Sequence, residues 1–178
     1  MKVAILYWSK SGNTEKVAAA IKECMQSIGA EIDYLRVNEA KELDFFDYDL
    51  ICLGFPSYRW HPPQPVENFL VEHFNKHQKQ GRIKVGAPQL PGKSVIIFCT
   101  YSGPHTGINE AIPAGKYAAQ FFEHIGFKVL DELYVVGEFH GAEELNTQGK
   151  LGDIRGRPNE KDLEEVKTRV KNLLKHRA

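Results

Sequence analysis

Apolar and polar positions fall into blocks along the 178-residue chain, and the blocks show two periods. Residues 3–8, 49–53 and 94–100 are short apolar runs rich in β-branched side chains, each ending in a Gly- or Ser-containing loop. That pattern predicts buried strands. Residues 31–37 (EIDYLRV) alternate only partly and predict a more exposed strand. Residues 127–136 contain a last one, and Gly54 and Gly137 mark strand ends. Helical spacing fills the intervals: Val17, Ile21, Cys24, Met25 and Ile28 before Gly29; Val66, Phe69, Leu70 and Phe74 after an early Pro65. It recurs as Ala118, Phe121, Phe122 and Ile125 before Gly126, and as Leu163, Val166, Val170, Leu173 and Leu174 over 160–175. Residues 38–47 have room for one or two helical turns. Residues 81–93 read as a loop, and 138–158 are polar and Gly-rich without a period. Strands alternating with helices predict a three-layer α/β fold, a doubly wound five-stranded parallel sheet covered on both faces. No repeat or linker divides the chain, so 1–178 is read as one domain carrying an irregular insertion at 138–158.

In such a sheet, ligands bind outside the carboxyl ends of the strands. Three loops there are rich in Gly, hydroxyls and aromatics. The first is Ser9-Lys10-Ser11-Gly12-Asn13-Thr14, between a strand and a helix. Unpaired backbone N–H groups and the positive end of a helix dipole converge on such a loop, and its hydroxyls add donors without charge. An anion, above all a phosphate, suits it. An ordinary capped turn is the alternative reading of the same six residues. The second and third loops, after 49–53 and 94–100, offer Tyr58, Trp60 and Tyr101 as flat rings for a planar heterocycle. A phosphate at one end and a flat ring at the other describe a mononucleotide, FMN in particular.

The six-residue loop meets the pattern Thr/Ser-x-Thr/Ser-Gly-x-Thr, and with the two aromatic loops the chain resembles the flavodoxin-like family along nearly its whole length. The resemblance implies a strand order of 2-1-3-4-5, noncovalently bound FMN and a redox function. By position, Ser9, Lys10 through its backbone, Ser11, Gly12, Asn13 and Thr14 would hold the phosphate. Pro56, Ser57, Tyr58, Arg59 and Trp60 would line one side of the ring, and Thr100, Tyr101, Ser102 and Gly103 would reach its pyrimidine end. Electron-carrier members are typically strongly acidic and often use a Gly beside the ring, whose peptide turns over to bond the flavin N5–H. This chain is neutral and has no Gly among its loop-two aromatics, where a non-Gly residue at positive φ would be strained. Arg59, His61 and His105 stand in these loops instead, and positive charge near the ring favours its anionic, fully reduced form. The expectation is two-electron chemistry between NAD(P)H and a quinone-like or other small acceptor. The alternatives are a one-electron carrier serving a redox protein, and a flavin-free descendant. Residues 138–158 would cover the flavin, receive a substrate or make a homodimer contact.

Composition narrows the picture further. Lys and Arg number 23, as do Asp and Glu, so no charge excess points to nucleic acid. No apolar stretch reaches a membrane span, and the N-terminal residues do not resemble a signal peptide. Cys24, Cys52 and Cys99 lie in apolar runs, as reduced thiols of a cytoplasmic protein do. Residues 87–94 (APQLPGKS) mimic a nucleoside-triphosphate loop but contain two prolines and lead into a strand. His73 and His77, four apart on a helix, have metal-ligand spacing without a third ligand, and are read as an exposed helix face. No metal site or catalytic side-chain set is expected, since FMN would carry the chemistry.

Overall fold

The computed structural model describes residues 1–175. Five parallel strands, β1 (Lys2–Tyr7), β2 (Glu31–Arg36), β3 (Leu50–Pro56), β4 (Ser94–Tyr101) and β5 (Lys128–Val136), form one sheet in the order β2-β1-β3-β4-β5. The helices are α1 (Asn13–Ser27), α2 (Gln64–Lys79), α3 (Ile112–His124), the short α4 (Glu143–Thr147) and α5 (Glu160–Lys175). No helix among the described residues is long and apolar enough to cross a membrane.

Each central strand buries both faces, and the period of two sorts its side chains. Val3, Ile5 and Tyr7 of β1, with Cys52, Ile96 and Phe98, pack with α1 and α5. Ala4 and Leu6, with Ile51, Leu53, Val95, Ile97 and Cys99, pack with α2, α3 and the segment around Phe45. The edge strand β5 is flanked by ion pairs: Arg169 grips Asp131 at 2.6 and 2.7 Å, and Lys116 meets Glu132 at 2.7 Å. Charges on an edge strand oppose pairing with another chain.

Three expectations are corrected. Gly54 does not end its strand. It pairs with Tyr7 on one side and Phe98 on the other, and a Cβ there would lie 1.8 Å from the Phe98 ring. The 138–158 stretch is not wholly irregular, since α4 lies within it. Asn146 of α4, 2% exposed, holds both the N–H and the C=O of Phe139 at 2.7 and 2.8 Å. A side-chain bracket of this kind leaves no hydrophobic period to read.

The third correction concerns His73 and His77, which face the core and not solvent: their exposures are 2% and 0%. They continue the stripe of Val66, Phe69 and Leu70 on α2 at spacings of three and four. The His73 ring lies 4.3 Å from Phe45 and 4.4 Å from Phe69, and His77 lies 5.0 Å from Phe46. None of their four ring nitrogens has a hydrogen-bond partner among the described residues. Burial, then the mutual approach of the two rings and the nearby Lys76, pushes the His73 pKa down to about 4. Burial also lowers His77. No group of three His, Cys, Asp or Glu among the described residues could hold a metal here. Cys24, Cys52 and Cys99 are all buried thiols.

Candidate functional site

The loops that follow β1, β3, β4 and β5 meet at one end of the sheet. Loop one, 8–12, turns at Gly12, whose φ of +92° puts it where a side chain would be strained. Its N–H donates to Ser9 Oγ at 3.1 Å, which closes the turn and delivers the chain into α1. Among the described residues, the N–H groups of Lys10, Ser11, Asn13 and Thr14 find no acceptor in the protein. These orphan donors at a helix N-terminus form a cradle that fits a phosphate.

The other polar atoms expected at the site serve as braces between loops. Thr14 and Thr100, both buried, join hydroxyl to hydroxyl at 2.8 Å. Asn13 Nδ2 donates to the Glu138 carbonyl at 2.9 Å. Gly137 makes room for that contact, since a Cβ there would lie 2.8 Å from the same nitrogen. The Ser57 hydroxyl donates to the Glu110 carbonyl at 2.5 Å, and the Ser102 hydroxyl to the Gly137 carbonyl at 2.9 Å. The structure thus brings together the three loops chosen from sequence, and uses the side chains of Asn13, Thr14, Ser57, Thr100 and Ser102 to fasten them to one another and to residues 137–138. Ser11 stays exposed, and among the described residues its hydroxyl has no partner.

Loop two is a tight reversal. Tyr58 N–H donates to the His61 carbonyl at 2.9 Å, and His61 N–H returns the bond at 3.1 Å. The two residues between, Arg59 and Trp60, have φ of +51° and +64°. Positive φ at both central positions defines a type I′ turn, which favours Asn-Gly. Here it is built from two bulky residues, so the turn stores backbone strain. Replacing Arg59-Trp60 by Asn-Gly is expected to stabilise the apoprotein by about 1 kcal/mol in urea denaturation. An unchanged midpoint would mean that the turn is unstrained. Tyr58 packs edge-on against Trp8 at 5.8 Å, and Trp60 is 61% exposed. Pro56 pairs with Thr100 at the end of the sheet, and half-buried Tyr101 follows, its hydroxyl pKa raised by burial.

Loop three depends on Gly103, at φ +53°, whose Cβ would lie 2.6–2.8 Å from the Gly107 backbone. Glu110, unremarked in the sequence, accepts from the His105 and Thr106 N–H groups at 2.8 and 2.6 Å and so closes the loop. Residues 138–158 back onto it: Lys150 N–H donates to the Pro104 carbonyl at 2.8 Å. Behind them Arg157 and Asp162 form a part-buried ion pair. Burial would raise the Asp162 carboxyl, but the bonds from Arg157 and the Asn159 N–H outweigh it and leave the pKa low. Arg36 was also missed. It reaches loop one from the end of β2, and a lone Arg in an exposed strand carries no sequence signal.

A phosphate cradle beside exposed aromatic rings agrees with what known proteins show. A sequence model described as a flavodoxin domain matches residues 4–137. A flavodoxin from Megasphaera elsdenii is 32% identical over 99 residues, covering 56% of this chain and 64% of its own length. A probable flavodoxin 1 from Bacillus subtilis is 34% identical over 74 residues, covering 40% of this chain and 46% of its own. Both alignments thus span less than two thirds of the relatives. The crystal structure of oxidised flavodoxin 1 from Bacillus cereus superposes with a TM-score of 0.70 at 18% identity, covering 99% of both chains. The domain match extends over well more than half of the sequence, and the chain belongs to the flavodoxin family, a family of FMN-binding redox proteins.

Proposed function

We propose that this flavodoxin-family protein is an FMN-dependent oxidoreductase. It would take electrons in pairs from a nicotinamide dinucleotide and deliver them to a quinone-like or other small acceptor. The observation that carries this reading is the Tyr58–His61 turn, closed at both ends and free of glycine. Turning over the Arg59–Trp60 peptide would convert a type I′ turn into II′, and Arg59 would then enter a backbone region open only to glycine. A peptide that cannot turn over would offer a bound ring no new hydrogen bond on reduction, and the turn would therefore suit two-electron chemistry.

Bound FMN supplies the redox chemistry, and the chain's own residues supply its surroundings. The N–H groups of loop one, with the hydroxyls of Ser9 and Ser11, hold the phosphate. Tyr58 and Trp60 flank the ring, with Pro56 and Ser57 behind them, and Thr100, Tyr101, Ser102 and Gly103 meet its pyrimidine end. Arg59 brings positive charge to the mouth, which favours an anionic reduced ring, and His61 and His105 stand in the same loops. The flavodoxin relatives favour the second reading, a one-electron carrier for a protein partner.

Stepwise anaerobic reduction of the FMN-loaded protein, followed by visible absorbance, separates the two. Direct bleaching from yellow to colourless is expected, with NAD(P)H-driven quinone reduction as the companion assay. A strong intermediate blue or red band would establish the carrier reading instead.

A further inference from the structure

The phosphate cradle has a carboxylate on its doorstep. Glu15 lies in the first turn of α1, where a second anion would compete with a phosphate for the same helix end. Two groups turn it away. Tyr7 donates its hydroxyl to Glu15 Oε1 at 2.8 Å, and Arg36 Nη2 meets Oε2 at 2.9 Å. The Arg36 guanidinium lies over the Tyr7 ring, 5.2 Å from its centroid, so its plane is supported from below. Its other arm, Nη1, donates to the Ser9 carbonyl at 3.2 Å.

That last bond fixes a peptide plane. In a trans peptide the C=O and the following N–H point in opposite directions. Drawing the Ser9 carbonyl towards Arg36 therefore aims the Lys10 N–H the other way, into the cradle, where it has no acceptor in the protein. One guanidinium thus performs two tasks from outside the loop: it neutralises the competing carboxylate and orients a donor.

We propose that Arg36 is a positioning residue for the cofactor phosphate, acting through Ser9 and Glu15 without touching the ring. The proposal rests on the FMN reading above, and it makes the site's preference for a phosphorylated flavin depend on a residue of β2. Arg36 adds specificity for the phosphate and nothing for the isoalloxazine.

The test compares FMN with riboflavin, which lacks the phosphate, by flavin-fluorescence titration of apoprotein. Arg36→Met should weaken FMN binding about tenfold to a hundredfold, the loss expected for a charge-assisted bond together with an unmasked like charge. Riboflavin affinity should stay within about twofold, because the ring contacts are untouched. Arg36→Lys, which keeps the charge but cannot fork to two acceptors, should lie between wild type and Met for FMN. Arg36→Lys also decides the question alone if the Met variant does not fold. Equal losses for both flavins would make Arg36 a structural residue only, and no loss for either would remove it from the site; each overturns the proposal. Failure of the wild-type protein to bind FMN would instead sink the cofactor reading and this proposal with it.

Discussion

Acidifying the apoprotein from pH 7 to pH 4 is expected to remove about 2–3 kcal/mol of stability through His73 alone, with a further loss through His77. The sign follows from the direction of the shifts. Each buried imidazole is held neutral in the folded state, whereas the unfolded chain takes up a proton at the ordinary histidine pKa. Stability is complete above that value, is lost as pH falls from about 6.5 towards 4, and levels off below the folded pKa. The surroundings offer the new charge little relief. Asp44 is the nearby carboxylate, but Arg82 already grips both its oxygens at 2.8 and 2.7 Å, and Lys76 adds repulsion. Burial raises the Asp44 carboxyl; the Phe46 N–H and Arg82 more than reverse this, so its own titration falls at lower pH. Urea denaturation across pH 4–7 measures the slope. A His73→Leu/His77→Leu variant should flatten it, because a leucine fills the same space without a proton to bind. A double variant with the wild-type slope would place the acid sensitivity elsewhere.

Replacing Gly103 with Ala is the second large effect expected. The added methyl would meet backbone atoms of Gly107 at 2.6–2.8 Å, and neither segment can yield as the tip of a side chain would. The left-handed φ of +53° adds strain of its own. The variant should lose about 2–4 kcal/mol in thermal or urea denaturation, and its FMN affinity should fall at least about tenfold as loop three opens. Gly141→Ala is the control. Its φ is +106°, yet no atom lies within 4 Å of the new carbon, so it carries the strain without the collision. Equal losses in the two variants would show that backbone strain, and not the close approach, sets the requirement for glycine.

The sheet was legible because its central strands bury both faces and so appear as unbroken apolar runs. Residues 160–175 were legible for a related reason: the helix there puts its apolar stripe against one face of the sheet. The histidines of α2 were misread on chemistry, not on position. They sit at the spacing that continues Val66, Phe69 and Leu70, and a reading by period alone would have buried them. The loops of the candidate site stand out by their composition, but the partners of their side chains do not. Thr14 with Thr100 and Asn13 with Glu138 are separated by 86 and 125 residues, and such pairs exist only once the fold has joined them. The left-handed pair Arg59-Trp60 was hidden by the absence of the Gly or Asn that normally announces such a turn. Arg36 acts on a loop 27 residues before it, which no local pattern reveals.

The unequal fastening of the pocket wall has a consequence for cofactor traffic. Residues 138–158 are sewn to loop one through Asn13 and to loop three through Lys150. Beyond Ser57, the turn at Tyr58–His61 makes its backbone bonds, among the described residues, only to itself. An entering or departing flavin would therefore pass on the side of Trp60, swinging four residues and leaving the sewn wall shut. Residence time and affinity would then come under separate control, the first set by this short turn and the second by the candidate phosphate cradle.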